Sequence, residues 1–226
     1  MTRVLVTGGA GFIGSHLVDR LMTNGFDVVV LDNFYSGKLD NIISHLNKHN
    51  FYLVKGDVRK KTDVKKALKD VNCIFHLAAI VNIETSIKNP ILVNDVNVNG
   101  TLNVLEESLK LNVDKFVYIS SCAVYGEPIY LPIDEEHPTR PISPYGVTKL
   151  AAESYCRAFY RLYGLKTTSL RLFNVYGPRQ GEGYAGVITK FIEKLKRGQP
   201  PVIFGMGSKL EILFTLKMLL RHSYPF

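Results

Sequence analysis

A glycine-rich segment near the start of the chain, Thr7–Ser15, constrains the fold more than any other stretch. It follows the apolar run Val4–Val6 and leads into residues 12–21, where apolar side chains recur with helical spacing. This order predicts a strand, a tight turn and a helix. Glycine allows positive φ and a close approach of the backbone to a pyrophosphate, and the helix offers unpaired N–H groups to that anion. The glycines that we expect to form this phosphate-binding turn are Gly8, Gly11 and Gly14.

An acidic residue further along the chain supports this interpretation. Val28–Leu31 is a second apolar run, and it ends in Asp32, about twenty residues after the glycines. A carboxylate in this place binds the adenosine ribose hydroxyls of a dinucleotide. Because no Arg or Lys adjoins Asp32, the sequence favours NAD over NADP.

Apolar runs and helical patterns alternate along the chain. This alternation predicts βαβ units and therefore an α/β fold with a doubly wound parallel sheet. Further strands are expected at Phe51–Val54, Asn72–Ala79 and Lys115–Ile119, and helices near residues 42–46, 64–68 and 98–109. Since the carboxyl ends of parallel strands meet at one edge, a single site is expected there. The residues placed at that edge are Gly8, Asp32, Asp57, Ala78 and Ser121.

Two of the strand ends carry residues for which the sequence suggests roles. Asp57 could accept a hydrogen bond from the adenine amine or cap the lysine-rich helix that follows, and both roles stay open. Ala78 and Ala79 are small enough for the cofactor to pass closely. His76 ends an apolar strand, where a lone histidine is typically a satisfied structural group rather than a base.

A proline-rich loop between residues 126 and 144 precedes a helix with a strong start signal. Ser143 is the expected N-cap, and Pro144 is suited to the first helical position. Tyr145 and Lys149 are four residues apart, so their side chains emerge on the same side of the first turns.

Tyr145 and Lys149 have the chemistry of a proton-transfer site. The ordinary pKa of tyrosine is about 10, so a base at this position needs help. A nearby ammonium, the positive end of a helix and a charged nicotinamide ring would each favour the phenolate. Ser121, at the end of a neighbouring strand, could hydrogen-bond the same substrate oxygen. We therefore expect a base beside a hydride acceptor.

These motifs together resemble the extended short-chain dehydrogenase/reductase family, and within it the nucleotide-sugar epimerases and dehydratases. The resemblance covers the chain to about residue 205. The matching segments are Thr7–Gly14, Asp32–Asn33, Gly56–Val58, His76–Ala79, Ser120–Ser121, Val124–Gly126, Tyr145–Lys149 and Arg171–Arg179.

The resemblance implies a tightly held NAD and a UDP-sugar substrate. Tyr145 would take the proton from the sugar 4-hydroxyl, Lys149 would hold the nicotinamide ribose, and Ser121 would steady the reacting oxygen. Asn174 matches a family position that contacts the sugar nucleotide. By the same similarity, the remaining cofactor-binding residues are Phe12, Ile13, Asn33, Ser36, Gly37, Val58, Leu77 and Phe173.

The two residues after the reacting serine separate reaction types within the family. Dehydratases resemble one another in carrying Asp-Glu there, whereas this chain has Cys122 and Ala123. Without that carboxylate pair, 4,6-elimination lacks its proton donors. The resemblance therefore implies 4-epimerisation of UDP-glucose and UDP-galactose through a transient 4-keto sugar. The alternatives are decarboxylation of UDP-glucuronate, or the reaction of another nucleotide-sugar dehydratase of the same family. A non-catalytic NAD-binding module is the rival from another class.

Charge and composition bear on partners and location. The net charge is +8, but the basic clusters at residues 59–61 and 65–66 fall on the expected solvated face of a helix, without interleaved aromatic residues. We therefore expect no nucleic-acid partner. The N-terminus has no signal-peptide pattern, and no segment suits a membrane span, so a cytoplasmic location is expected. The three cysteines, Cys73, Cys122 and Cys156, are expected to be buried free thiols, with no metal.

The final part of the chain departs from the family pattern after Gly205. We expect an NAD-binding domain over residues 1–177, the start of a substrate lobe over 178–205 and an aberrant apolar tail over 206–226. Relatives continue into a lobe that closes over the nucleotide sugar, so the sequence predicts a truncation or a frame shift that impairs turnover more than NAD binding. The resemblance also implies a homodimer through the asparagine-rich helix and the helix that carries Tyr145.

Overall fold

A computed structural model describes residues 2–181, 187–202 and 213–216. The chain divides into two compact units, Met1–Arg171 and Leu172–Phe226. Apart from residues 213–216, the tail predicted for residues 206–226 lies outside the described residues. The predicted origin of that tail and the three-part division therefore stay predictions.

A six-stranded sheet forms the centre of the first unit. Its strands are β1 (Arg3–Thr7), β2 (Asp27–Asp32), β3 (Phe51–Lys55), β4 (Cys73–His76), β5 (Lys115–Ser121) and β6 (Thr167–Leu172). They lie in the order β3-β2-β1-β4-β5-β6, and β1 to β5 pair in parallel. The strand order reverses direction at β1, as in a doubly wound sheet. The predicted α/β fold class is confirmed.

Helices connect the strands of this sheet. They are α1 (Phe12–Thr23), α2 (Lys61–Ala67), α3 (Ile83–Lys88), α4 (Pro90–Asn94), α5 (Gly100–Lys110) and α6 (Pro144–Tyr163). A π-helical turn, Asp95–Asn99, joins α4 to α5. In the second unit, α7 (Val187–Lys196) follows β7 (Asn174–Tyr176), which pairs in parallel with β8 (Leu213–Thr215). None of the helices described is long and apolar enough to cross a membrane.

The core explains why the central strands are continuous apolar runs. A strand in the middle of a doubly wound sheet is covered by helices on both faces, so its side chains are buried whichever way they point. Val4, Leu5 and Val6 are all fully buried. On one side, Leu5 and Phe116 pack with Leu105 of α5.

Three local expectations differ from the structure. The segment near residues 42–46 forms two 3-10 turns, Leu39–Asn41 and Ile43–His45, instead of a short α-helix. Of its apolar residues, Ile42 is buried, whereas Ile43 is exposed, so little packing energy favours a regular helix. β4 ends at His76, because the backbone N–H groups that follow it turn to bond Thr7. Cys122 is only half-buried, unlike the buried thiols Cys73 and Cys156.

Candidate active site

The registers of the parallel strands bring the predicted residues to one edge of the sheet. Thr7 is aligned with Leu31 and with His76, and His76 is aligned with Tyr118. The residues that follow these positions therefore emerge side by side. As expected, this edge carries Gly8, Asp32, Asp57, Ala78 and Ser121.

The glycine turn is built on close backbone contacts. Gly8 has a φ of +69°, and its N–H donates to the Leu31 carbonyl oxygen at 2.8 Å. A Cβ on Gly8 would lie 2.9 Å from the Ala78 nitrogen, and one on Gly14 would overlap the Gly8 carbonyl oxygen. Larger residues at these positions would push the helix away from the strand ends. Only glycine therefore allows the tight turn that a phosphate group can approach.

Asp32 ties this turn to the segment that follows β2. Its carboxylate accepts hydrogen bonds from the Ala10 N–H at 2.9 Å and from the Phe34 N–H at 2.8 Å. Burial raises the pKa of Asp32, and the two backbone hydrogen bonds oppose that rise. Each carboxylate oxygen has a second lone pair, so Asp32 can accept ribose hydroxyls as well.

Asp57 is held by an arginine two residues further along. Its oxygens accept from Arg59 Nε at 3.0 Å and from an Arg59 terminal nitrogen at 2.7 Å, and also from Asn33 Nδ2 at 3.0 Å. The Arg59 hydrogen bonds are the main reason why the pKa of Asp57 lies well below its usual range. The capping role is wrong, because the N-cap of α2 is Lys60. The adenine role stays a prediction.

His76 forms part of a buried polar chain below the edge. Thr101 Oγ1 donates to the Asn97 carbonyl oxygen at 2.6 Å and therefore accepts from His76 Nε2 at 3.0 Å. His76 Nδ1 is then left to accept from the Thr7 hydroxyl at 2.7 Å. Burial, followed by the Lys149 charge, lowers the pKa of His76 to about 3. As predicted, His76 is a satisfied structural group.

The neutral state of His76 predicts a specific loss of stability in acid. The pKa of His76 is lower in the folded chain than in the unfolded chain. Its contribution to stability is therefore present above pH 6.5 and is lost as the pH falls toward 3. A His76→Gln variant keeps one donor and one acceptor but does not titrate. Between pH 6.5 and 5, we expect the wild type to lose about 2 kcal/mol more unfolding free energy than this variant. Urea unfolding at both pH values measures the difference, and equal losses would contradict it.

Asn97, in the π-helical turn, is a site residue that the hydrophobic pattern of the sequence did not predict. Its side-chain amide accepts from the Ile80 N–H at 2.8 Å and donates to the Ile80 carbonyl oxygen at 3.0 Å. It also donates to Thr148 Oγ1 at 3.1 Å, beside Lys149 in α6. Asn97 therefore joins the segment after β4 to the helix of the proton-transfer pair. The signal in the sequence was the recurrence of asparagine at positions 94, 97 and 99.

The start of α6 confirms the predicted cap and brings Tyr145 to the end of β5. Ser143 Oγ accepts from the Gly146 N–H at 3.1 Å, and Pro144 is the first helical residue. A Cβ on Gly146 would lie 2.6 Å from the Ala123 carbonyl oxygen. Gly146 thus allows the helix to approach the turn that follows Ser121.

Lys149 points into the interior beneath Tyr145. Its ammonium donates to the Ile119 carbonyl oxygen at 2.7 Å, and Nζ lies 6.0 Å from the centre of the Tyr145 ring. Burial lowers the pKa of Lys149 to about 8. The ammonium form therefore prevails below that pH and is placed to favour a phenolate on Tyr145. Ser121 ends β5, and its Oγ accepts from the Ala123 N–H at 3.2 Å.

The remaining predicted residues fall into three groups. Phe12 and Ile13 form the half-buried first turn of α1. Asn174 begins β7 in the second unit and Phe173 precedes it, so their roles stay predictions. Around the edge in the first unit lie Asn33, Ser36 and Gly37 after β2, Val58 after β3, and Leu77, Ala78 and Ala79 after β4.

Comparison with known proteins places this arrangement in a family. Residues 4–211 match the NAD dependent epimerase/dehydratase family. The chain is 49% identical to a putative UDP-glucose 4-epimerase of Methanocaldococcus jannaschii, over 91% of this chain and 67% of the relative.

Solved structures agree with this match. The UDP-glucose 4-epimerase of Thermotoga maritima, in complex with UDP-glucose, superposes with a TM-score of 0.91 at 40% identity, over 97% of this chain and 71% of that one. The UDP-glucuronic acid 4-epimerase of Bacillus cereus, in complex with UDP-glucuronic acid and NAD, gives 0.90 at 34% identity, over 97% and 71%. The chain therefore belongs to the NAD dependent epimerase/dehydratase family, and its cofactor is NAD.

Proposed function

We propose that this chain catalyses the 4-epimerisation of a UDP-hexose, UDP-glucose or UDP-galactose, through a transient 4-keto sugar. The observation that carries the proposal is the pairing of Tyr145 with a buried ammonium. Lys149 Nζ lies 6.0 Å from the centre of the Tyr145 ring, at the sheet edge where Ser121 ends β5. Relatives named as 4-epimerases of UDP-sugars support the same reaction.

The residues at this edge fit NAD on their own chemistry. A Cβ on Gly8 would collide with the Ala78 backbone and one on Gly14 with the Gly8 carbonyl oxygen, so only glycine allows the tight turn that brings the N–H groups at the start of α1 to the sheet edge. The Asp32 carboxylate accepts from the Ala10 N–H of the same turn. We propose that this turn holds the phosphates, that Asp32 holds the adenosine ribose, and that Lys149 holds the nicotinamide ribose. When bound, NAD supplies the hydride acceptor and donor for the sugar C4.

The proposed roles of the chain's own residues follow from their contacts. Tyr145 takes the proton from the sugar 4-hydroxyl and later returns it. The Lys149 ammonium favours the phenolate form of Tyr145, because an adjacent positive charge stabilises an anion. Ser121 Oγ already accepts from the Ala123 N–H, which leaves its O–H to donate to the reacting sugar oxygen.

The residues after Ser121 favour epimerisation over dehydration. Elimination across C5 and C6 needs an acid and a base beside the sugar. Cys122 and Ala123 form the 3-10 turn at this point and carry no carboxylate. The proposed reaction needs a proton transfer only at the 4-oxygen, for which Tyr145 suffices.

Incubation of the purified chain with UDP-galactose tests the proposal. We expect conversion to an equilibrium mixture with UDP-glucose, and NAD released on denaturation. UDP-N-acetylglucosamine and UDP-glucuronate, supplied in parallel, define the sugar. Carbon dioxide released from UDP-glucuronate would favour the runner-up decarboxylase instead. Retained NAD without turnover of any of these sugars would favour the non-catalytic module.

A homodimer is the proposed assembly, and exposed apolar side chains on α3, α4 and α6 support it. Ile91 is 85% exposed, and Ile87 and Val147 are also exposed. We expect Ile91→Lys to weaken the dimer by about 100-fold, because a buried interface would have to hold an unpaired charge. Ile43→Lys is the matched control, because Ile43 is 56% exposed and lies outside these helices, in the 3-10 turn Ile43–His45. Sedimentation velocity measures both, and a monomeric wild type or an unaffected Ile91→Lys dimer would contradict the proposal.

A further inference from the structure

The Lys149 ammonium lies above the ring of a buried tyrosine in the central sheet. Tyr118, on β5, is 1% exposed, and Lys149 Nζ lies 4.9 Å from the centre of its ring. The same ring stacks on His76, with 6.0 Å between ring centres and 26° between ring planes. A cation within about 6 Å of an aromatic ring centre is attracted by the negative face of the ring, most strongly where water is excluded.

The burial of Lys149 makes such a contact stabilising. The residue is 3% exposed, and a buried ammonium without partners is very costly. One of its three N–H groups donates to the Ile119 carbonyl oxygen. Burial lowers the pKa of Lys149 to about 8, in the range where an enzyme works. Small changes around Nζ therefore alter how much of the lysine is charged.

The other titratable groups that face Lys149 offer it less. Glu153, one turn further along α6, is bound in a fork by Arg171, with oxygen to nitrogen distances of 2.9 and 3.1 Å, so its charge is shared. Cys156 is neutral, because burial raises the pKa of its thiol to about 12. His76 is also neutral, and Tyr145 is the group that the lysine serves.

The Tyr118 hydroxyl does not account for a tyrosine at this position. Its oxygen is buried and has no hydrogen-bond partner among the described residues. An unsatisfied buried hydroxyl destabilises a fold. The ring, rather than the hydroxyl, is therefore the part of Tyr118 that contacts functional groups.

We propose that Tyr118 is a positioning residue of the active site, whose ring holds the Lys149 ammonium charged and in place beneath Tyr145. Its catalytic consequence rests on the proposed function. The contact itself belongs to the folded chain and can be measured without any sugar substrate.

The test is the pKa of Lys149, read by NMR of chains labelled with ¹³C at lysine Cε. A Lys149→Met sample identifies the signal. Tyr118→Phe keeps the ring, so its Lys149 pKa is expected to match that of the wild type. Tyr118→Leu removes the ring, and the Lys149 pKa is expected to fall by about one pH unit, because the charged form loses its partner. Phe116→Leu is the packing control, since Phe116 also contacts His76 from β5.

Ring fluorination provides a second series in case Tyr118→Leu fails to fold. Phenylalanine analogues with increasing numbers of fluorines at position 118 keep the ring shape but weaken its negative face. The Lys149 pKa is expected to fall stepwise along the series. A pKa that stays constant along it, or that Phe116→Leu lowers equally, would overturn the role of Tyr118.

The pH dependence of turnover gives an independent readout. If the chain epimerises UDP-galactose, the loss of turnover in Tyr118→Leu is expected to be greater at pH 8 than at pH 6.5, since added protons restore the ammonium at lower pH. The same loss at both pH values would leave Tyr118 with a packing role alone. Absence of turnover in the wild type would overturn the proposed function, whereas the NMR titration would still decide the contact.

Discussion

Replacement of Tyr145 by Phe is expected to lower the turnover of a UDP-hexose by about 10²- to 10⁴-fold while the purified chain keeps its NAD. The variant loses one oxygen atom, the one proposed to exchange a proton with the sugar 4-hydroxyl. Tyr145 is only 7% exposed, and phenylalanine preserves the packing of its ring at the start of α6. The loss should therefore fall on the chemical step rather than on folding.

The matched control is Tyr160→Phe. Tyr160 lies on the same helix but is 56% exposed and far along the chain from the proposed site. Its replacement should leave turnover unchanged within a factor of about two, as for a surface substitution. Initial rates with UDP-galactose and the absorbance of released cofactor measure both variants. A Tyr145→Phe chain that turns over like the control would refute Tyr145 as the base.

Replacement of Gly14 by Ala is expected to damage both stability and NAD retention. The added methyl group would overlap the backbone carbonyl oxygen of Gly8, and a backbone atom in a tight turn cannot move aside as a flexible side chain can. Overpacking of this kind costs about 3 kcal/mol, and the better helix propensity of alanine returns about 1 kcal/mol. The free energy of unfolding is therefore expected to fall by about 2 kcal/mol. The N–H groups proposed to face the phosphates would also be displaced.

Gly181→Ala is the control for this substitution. No atom of the residues that the structure describes lies within 4 Å of a Cβ added at Gly181. Urea unfolding and the NAD content after gel filtration compare the two variants. Equal midpoints and equal NAD content would show that the contact between Gly14 and Gly8 does not hold the turn in shape.

The features that the sequence predicted well depend on neighbours along the chain. The strand, glycine turn and helix of residues 3–23 follow from hydrophobic spacing and from the need for glycine at a tight turn. The start of α6 follows from Ser143 and Pro144, each of which acts within one helical turn. The shared edge of the sheet follows from the rule that parallel strands end together.

Features that depend on packing between distant segments were not predictable in the same way. Asn97 bonds to Ile80 and Thr148, which are 17 and 51 residues away, and hydrophobic periodicity carries no information about such partners. The contact between Tyr118 and Lys149 likewise exists only after β5 and α6 have packed. Asp57 shows a different reason why a role could not be predicted. Both predicted roles, the adenine contact and the helix cap, need a free carboxylate, but the Asp57 carboxylate already binds Arg59.

The π-helical turn at Asp95–Asn99 also changes which way the side chains before and after it face along one long helical segment. A π turn contains one residue more than an α turn, so the segment beyond it is rotated by about 100° relative to a straight continuation. Ile91 is therefore free to face outward before the turn while Leu105 faces the sheet after it, although an unbroken helix would place these residues, fourteen positions apart, on nearly the same face. The one extra residue of the π turn thus gives this helical segment two faces: one packs against the interior of the chain, and the other carries exposed apolar side chains.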